Sequence, residues 1–402
     1  MEQQNPNSRF QEFSVNWTLS LASDIFVVET DKGHPELPVL SASQELGMVK
    51  RDSIGINMQY SKQNVASYKR VQPGRFVIHL RSFQGGFAHS AIEGITSPAY
   101  TVLTLKEPQK HDDYFWKYLF TSPEFIKRLE LVTYGIRDGR SISVEDFFEL
   151  PFRFPAIIEE QRKIARFFSH LDTLIAVENE KLIRLKNIKS ASLEKMFPKM
   201  GETIPRLRFK GFAREWRIGK LSDVVSYYRF LNENVYHQNL LSLSYGKIVR
   251  KNIKSKKGLL PASFDTYQVI KENIIVLRFT DLQNDHKSLR VGISKEEGII
   301  SPAYVCLECK DNIIPDYLYL LLHFYDLCKI FYRMGDGMRQ TLSYSDVKDL
   351  IIQIPNDPKE QIYIVTFFSH LDTLISEQEH KIAKLCSLKK SFFEKIFVTN
   401  QK

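Results

Sequence analysis

Phe167-Phe-Ser-His-Leu-Asp-Thr-Leu-Ile175 recurs residue for residue at Phe367 to Ile375, an offset of 200 positions in a chain of 402. The match continues outward at the same offset: Glu160-Gln161 with Glu360-Gln361, Pro155 with Pro355, Glu194-Lys195 with Glu394-Lys395, and Phe197 with Phe397. Around each copy the apolar positions are spaced by three and four. Ile164, Phe168, Leu171, Ile175, Leu182, Leu185 and Met196 form one stripe; Ile364, Phe368, Leu371, Ile375, Ile382, Leu385, Phe392 and Ile396 form the other. Such a stripe predicts a long helix whose seam packs on another helix. Each predicted helix starts soon after a proline and runs about 40 residues, a rod of roughly 60 Å. Two seam positions are polar in both copies, Glu178 with Lys189 and Gln378 with Lys389, and polar seam residues fix register at some cost in stability.

Weaker echoes extend the repeat at drifting offsets. Gly94-Ile-Thr-Ser-Pro-Ala-Tyr100 matches Gly298-Ile-Ile-Ser-Pro-Ala-Tyr304, and the stretch from Arg9 to Trp17 matches that from Arg208 to Trp216. The chain therefore reads as two copies of one unit, each a divergent module followed by a well-matched helix. The modules mix short β-branched and aromatic runs, such as RFVIHLRSF and NIIVLRFT, with helical stretches such as DDYFWKYLF and PDYLYLLLHF. The expectation is a mainly β, mixed α/β module, with strand order left open. If the helices pair antiparallel, a pseudo-twofold relates the two halves.

Composition excludes several classes. With Lys and Arg at 56 against Asp and Glu at 47, the chain carries +9, a balance compatible with a polyanionic partner. No apolar run is long enough for a bilayer span, and the start MEQQNPNSRF lacks a basic and apolar leader, so a cytoplasmic location is expected. The four cysteines do not form a disulfide framework, and Cys306 and Cys309, three apart in a strand-like run, point to opposite faces rather than at one metal. P-loop, H-E-x-x-H, G-x-S-x-G and dinucleotide motifs are absent, and His170 and Asp172 cannot face each other on a helix. No catalytic, cofactor or metal residue is assigned.

Polar clusters in the modules point to nucleic acid. KIVRKNIKSKK supplies Lys247, Arg250, Lys251 and Lys254 with apolar anchors between them, and GMVKRDS supplies Lys50 and Arg51 in the other module. These residues, with Arg70, suit phosphate contact. Arg81 with Gln84, and Arg278 with Gln283, lie at predicted strand ends where arginine can read guanine and glutamine adenine. Glycine-rich turns carry Arg137 and Arg140 in one module and Arg333 and Arg339 in the other.

The order of module, helix, module, helix, together with the SPAY segments, the Glu-Gln ahead of F-F-x-x-L-D-x-L-I and the linker MFPKMGETIPRLRFKGF from Met196 to Phe212, resembles the specificity subunit of type I restriction-modification systems. The resemblance covers essentially the whole chain. It implies an α+β architecture of two target recognition domains separated by two long antiparallel coiled-coil-like helices. Residues 1–155 are the first domain, 156–200 the first helix, 201–355 the linker and second domain, and 356–402 the second helix. Phe168, Leu171, Ile175, Leu182, Phe368, Leu371, Ile375 and Ile382 are the expected pairing residues, and Ser169, His170 and Asp172 the expected outward face for partner subunits. The resemblance further implies a non-catalytic DNA-binding subunit that reads an asymmetric bipartite site in double-stranded DNA. Two methyltransferase subunits carrying S-adenosylmethionine, and two restriction subunits using ATP and Mg, are the implied partners, with no cofactor on this chain. The competing reading is an architectural DNA-binding protein that has lost its enzyme partners.

Overall fold

The computed structural model describes residues 6, 8–43, 46–54, 65–79, 86–129, 133–134, 141–233, 239–251, 263–280, 289–334 and 341–397. The chain divides into two compact units: residues 1–180 with 380–402, and residues 181–379. Each unit therefore takes one module, the first part of the long helix that follows it and the last part of the other long helix.

In the first unit a four-stranded antiparallel sheet runs in the order Phe26–Glu29, Thr101–Leu105, Phe76–Ile78, Phe87–His89. The hairpin Leu40–Ser43 with Gly47–Lys50 and the pair Lys69–Val71 with Gly94–Thr96 are joined by a parallel bridge from Val39 to Ile95. The second unit repeats this plan. One sheet runs Val225–Tyr228, Val305–Cys309, Ile275–Leu277, Val291–Ile293, and the other Lys247–Lys251, Leu240–Ser244, Gly298–Ile300, Gln268–Ile270. Two modules that share only scattered residues thus share strand order.

The scattered residues they do share have steric causes. A Cβ on Gly94 would lie 2.5 Å from the Pro38 carbonyl oxygen and one on Gly298 would lie 2.6 Å from that of Asn239, so only glycine admits the neighbouring chain. The Ser-Pro-Ala-Tyr that follows is a turn in both copies: the Ser97 and Ser301 hydroxyls accept from Ala99 N and Ala303 N, each at 3.3 Å. The first core is aromatic, with Phe26, Phe76, Phe87, Trp116, Phe120, Phe147 and Phe152 buried together. The second is aliphatic and tyrosine-rich around Leu318, Leu321, Leu322, Tyr317 and Tyr325.

The long helices span Ile158–Met196 and Pro358–Phe397. Pro358 occupies the first helical position, where its missing N–H costs nothing. The pairing is antiparallel within each unit. In the first, Phe168 stacks on Phe393 at 4.4 Å and on Phe397 at 5.6 Å, and Lys381 reaches the buried Glu178 at 2.8 Å. In the second, Phe368 meets Phe197 at 6.3 Å and Lys189 reaches Asp372 at 2.5 Å. Leu171 and Leu371 are buried in their own units, whereas Ile175, Leu182, Ile375 and Ile382 are half-buried.

The outward polar face is smaller than the sequence pattern suggests. Asp172 accepts from Tyr118 Oη at 3.0 Å and is ion-paired with Lys389, and Asp372 is occupied by Lys189. The carboxylates sit one position round the helix from the seam and long lysines reach them. His170 and His370 remain exposed, beside the exposed Leu174 and Leu374.

Candidate DNA interface

The modules are fastened to the helices by the Glu-Gln pair. Glu160 is buried and accepts both Arg9 Nε and Arg9 Nη2 at 2.7 Å, and Glu360 accepts Arg208 Nε at 2.6 Å and Nη2 at 2.8 Å. A bidentate guanidinium satisfies the carboxylate that burial would otherwise penalise. Gln161 accepts from Asp112 N at 2.9 Å and Gln361 from Ile314 N at 3.0 Å, the residues that open the helices Asp113–Phe120 and Pro315–Leu327. Arg9 and Arg208 were legible as repeat landmarks, but their partners lie about 150 residues away.

On this footing the candidate contact residues take their places. In the first module Lys50 is exposed at the end of the hairpin strand Gly47–Lys50, and Arg51 follows it with Nε on Ser41 Oγ at 3.1 Å. Arg70 stands on another strand and is engaged by Glu93 at 2.9 Å and Asp31 at 3.3 Å. In the second module Lys247, Arg250 and Lys251 share the edge strand Lys247–Lys251. Arg250 is neutralised by Glu296 at 2.7 Å. Lys247 borders a cleft of about 520 Å³ that Asp316, Tyr319, Ser369 and Asp372 also line, so it faces carboxylates as well as solvent. Arg278 leaves the strand Ile275–Leu277, and Arg333 ends the short helix Ile330–Arg333. Arg81, Gln84, Arg137, Arg140, Lys254, Gln283 and Arg339 lie outside the described residues.

The structure thus joins Lys247, Arg250 and Lys251 on one edge, and it links Arg278 to the helix of Arg333 through a residue that sequence reasoning missed. Arg290 donates to the Arg278 carbonyl at 3.2 Å and to Tyr332 Oη at 2.9 Å. A single arginine after a polar stretch gives no sign of burial in sequence.

No group of metal-ligating side chains occurs among the described residues. Burial pushes the thiols of Cys306 and Cys309 up to about 12, where neither is a ready nucleophile or ligand. What the modules offer is cationic side chains on strand edges and helix ends, the means of contacting phosphates and base edges.

The family model for the type I restriction modification DNA specificity domain matches twice, over residues 24–187 and 213–386. The chain belongs to the type I restriction-modification specificity family. Each match takes in one module and most of the helix that follows it. The specificity chain is also similar in fold to the S subunit of a type I restriction-modification system from M. genitalium, with a TM-score of 0.57 and 13% identity over 99% of this chain and 100% of that one. A chain solved in work on complex assembly and conformational transition of the type I R-M system gives a TM-score of 0.54 at 14% identity, covering 95% of this chain and 97% of that one. No curated protein matches in sequence. A role in DNA sequence specificity follows from the family, whose members are non-catalytic in general and work with methyltransferase and restriction subunits.

Proposed function

We propose that this specificity chain reads an asymmetric bipartite site in double-stranded DNA, one half-site per module. In this reading the long helices hold the methyltransferase and restriction subunits in place. The observation that carries it is the doubled plan: one strand order built twice, fastened to helices by the same Arg–Glu and Gln–backbone contacts, in modules whose sequences agree only at scattered residues. Equal scaffolds hold two readers; unequal readers call for unequal half-sites, so the full site is not a palindrome. The continuous helices of 39 and 40 residues act as the ruler that sets the unspecific spacer.

The chemistry belongs to the partners. Two methyltransferase subunits would bring S-adenosylmethionine and methylate adenine, and two restriction subunits would bring ATP and Mg; the chain supplies address and geometry in the cytoplasm. Among the described residues no helix is long and apolar enough to cross a membrane. The test is co-expression with the cognate methyltransferase and transfer of labelled methyl groups from S-adenosylmethionine to DNA. The reading requires a co-purifying complex that methylates only when this chain is present. A methyltransferase that modifies the same DNA equally well alone would contradict it.

A further inference from the structure

Arg290 is fully buried, an unusual place for a guanidinium. Its Nη1 donates to the backbone carbonyls of Arg278 at 3.2 Å and Thr280 at 2.6 Å, and its Nε donates to Tyr332 Oη at 2.9 Å. The Tyr332 ring faces the guanidinium at 5.2 Å. Behind it, the buried Asp326 accepts the Arg290 backbone N–H at 2.6 Å, and burial raises that carboxyl above its usual range. An apolar side chain could fill the space. Only a planar fork with several donors can bind two carbonyls of the chain leaving strand Ile275–Leu277 and, at the same time, a hydroxyl on helix Ile330–Arg333.

The two segments so tied carry Arg278 and Arg333. Among the described residues the first module has no counterpart of this tie. Arg278 N donates to the Arg290 carbonyl at 2.9 Å, as His79 N does to that of Gly86 at 3.1 Å, so Gly86 holds the equivalent position. There even a Cβ would lie 2.2 Å from Ile142 Cδ1.

We infer that Arg290 is a positioning residue that fixes the Arg278 strand exit against the helix of Arg333, and so sets base selectivity at the half-site of the second module alone. This rests on the specificity reading above. A side chain read as a base contact must be held to within a fraction of an ångström by the atoms behind it, and the contacts of Arg290 are directed at the backbone that carries such a side chain.

The experiment is methylation-motif sequencing with the complete methyltransferase complex carrying Arg290→Met, Arg290→Lys or Tyr332→Phe. Arg290→Met is expected to relax base preference at one half-site by roughly tenfold, the scale of one lost base contact, leaving the other half-site and the spacer unchanged. Tyr332→Phe, which removes one hydroxyl and keeps the ring, should relax the same half-site less, and Arg290→Lys should fall between wild type and Arg290→Met. A motif unchanged at both half-sites in Arg290→Met removes this proposal alone. So does a uniform loss of methylation with a lowered melting temperature in Tyr332→Phe, the mark of a residue that serves only the fold. A wild-type chain that directs no motif removes the specificity reading and this proposal together.

Discussion

Replacing Phe168 by alanine asks what closes the first unit onto its helix pair. The ring is fully buried. It stacks on Phe393 at 4.4 Å and Phe397 at 5.6 Å, and tilts against Tyr118 at 5.3 Å. Truncating a buried phenylalanine costs about 3–5 kcal/mol through lost transfer energy and the cavity left behind. Aromatic pairs in contact add ~0.5–1.5 kcal/mol each beyond burial, so the upper end of that range is expected here. The equivalent Phe368 is also buried, but its aromatic neighbour just past the end of the facing helix, Phe197, is 6.3 Å away, and Phe368→Ala should cost about 3 kcal/mol, nearer the lower end. Against a domain stability of roughly 5–15 kcal/mol, the first loss removes a third or more of the total. Urea unfolding separates the two effects, because Trp17 and Trp116 lie in the same core as Phe168 and Trp216 in the other. Hydrogen exchange over 158–180 then locates the opening. A cost below about 1 kcal/mol for Phe168→Ala, or a larger cost for Phe368→Ala, would refute the claim that this stack holds the pair.

Three further outcomes follow from the same structure. Inserting seven residues after Glu180 and after Glu379 keeps the heptad seam and adds about 10 Å to each helix, so sequencing of methylated sites should show a spacer longer by about three base pairs at 3.4 Å each. Lys50→Ala and Lys251→Ala should weaken DNA binding evenly across sequences and lower the salt slope by about one each, read by titration at several ionic strengths. His323 is held down to about 4 by burial, with Lys189 lowering it further and Asp372 opposing. Its protonation therefore favours the unfolded chain: the stability it protects is complete above the ordinary histidine value of 6.5 and is lost as pH falls from there towards 4. His323→Asn should flatten the acid limb of the second unit's melting profile between those values.

The long helices were legible because period and composition agree over some ten turns without glycine or proline inside. Their carboxylates were not. Spacing places Asp172 one step from the seam, but Tyr118 and Lys389, which claim it, come from distant parts of the chain. The modules were legible as mixed and mainly β, yet strand order was hidden. Strands such as Phe76–Ile78 and Ile275–Leu277 are three residues long and buried throughout, so they lack the alternation that marks a face. Repeated Gly94 and Gly298 could be seen but not explained until the neighbouring carbonyls were in place. Arg290 reads as surface because burial of a guanidinium depends on acceptors that no local pattern announces.

Whether this chain addresses methylation to a two-part site is decided by long-read methylation sequencing of DNA from cells that express it with its cognate methyltransferase, compared with cells expressing the methyltransferase alone. One methylated motif is expected, present only with the chain, made of two unlike half-sites around a spacer of fixed length. A palindromic motif, a single uninterrupted motif, or the same methylation without the chain would contradict it.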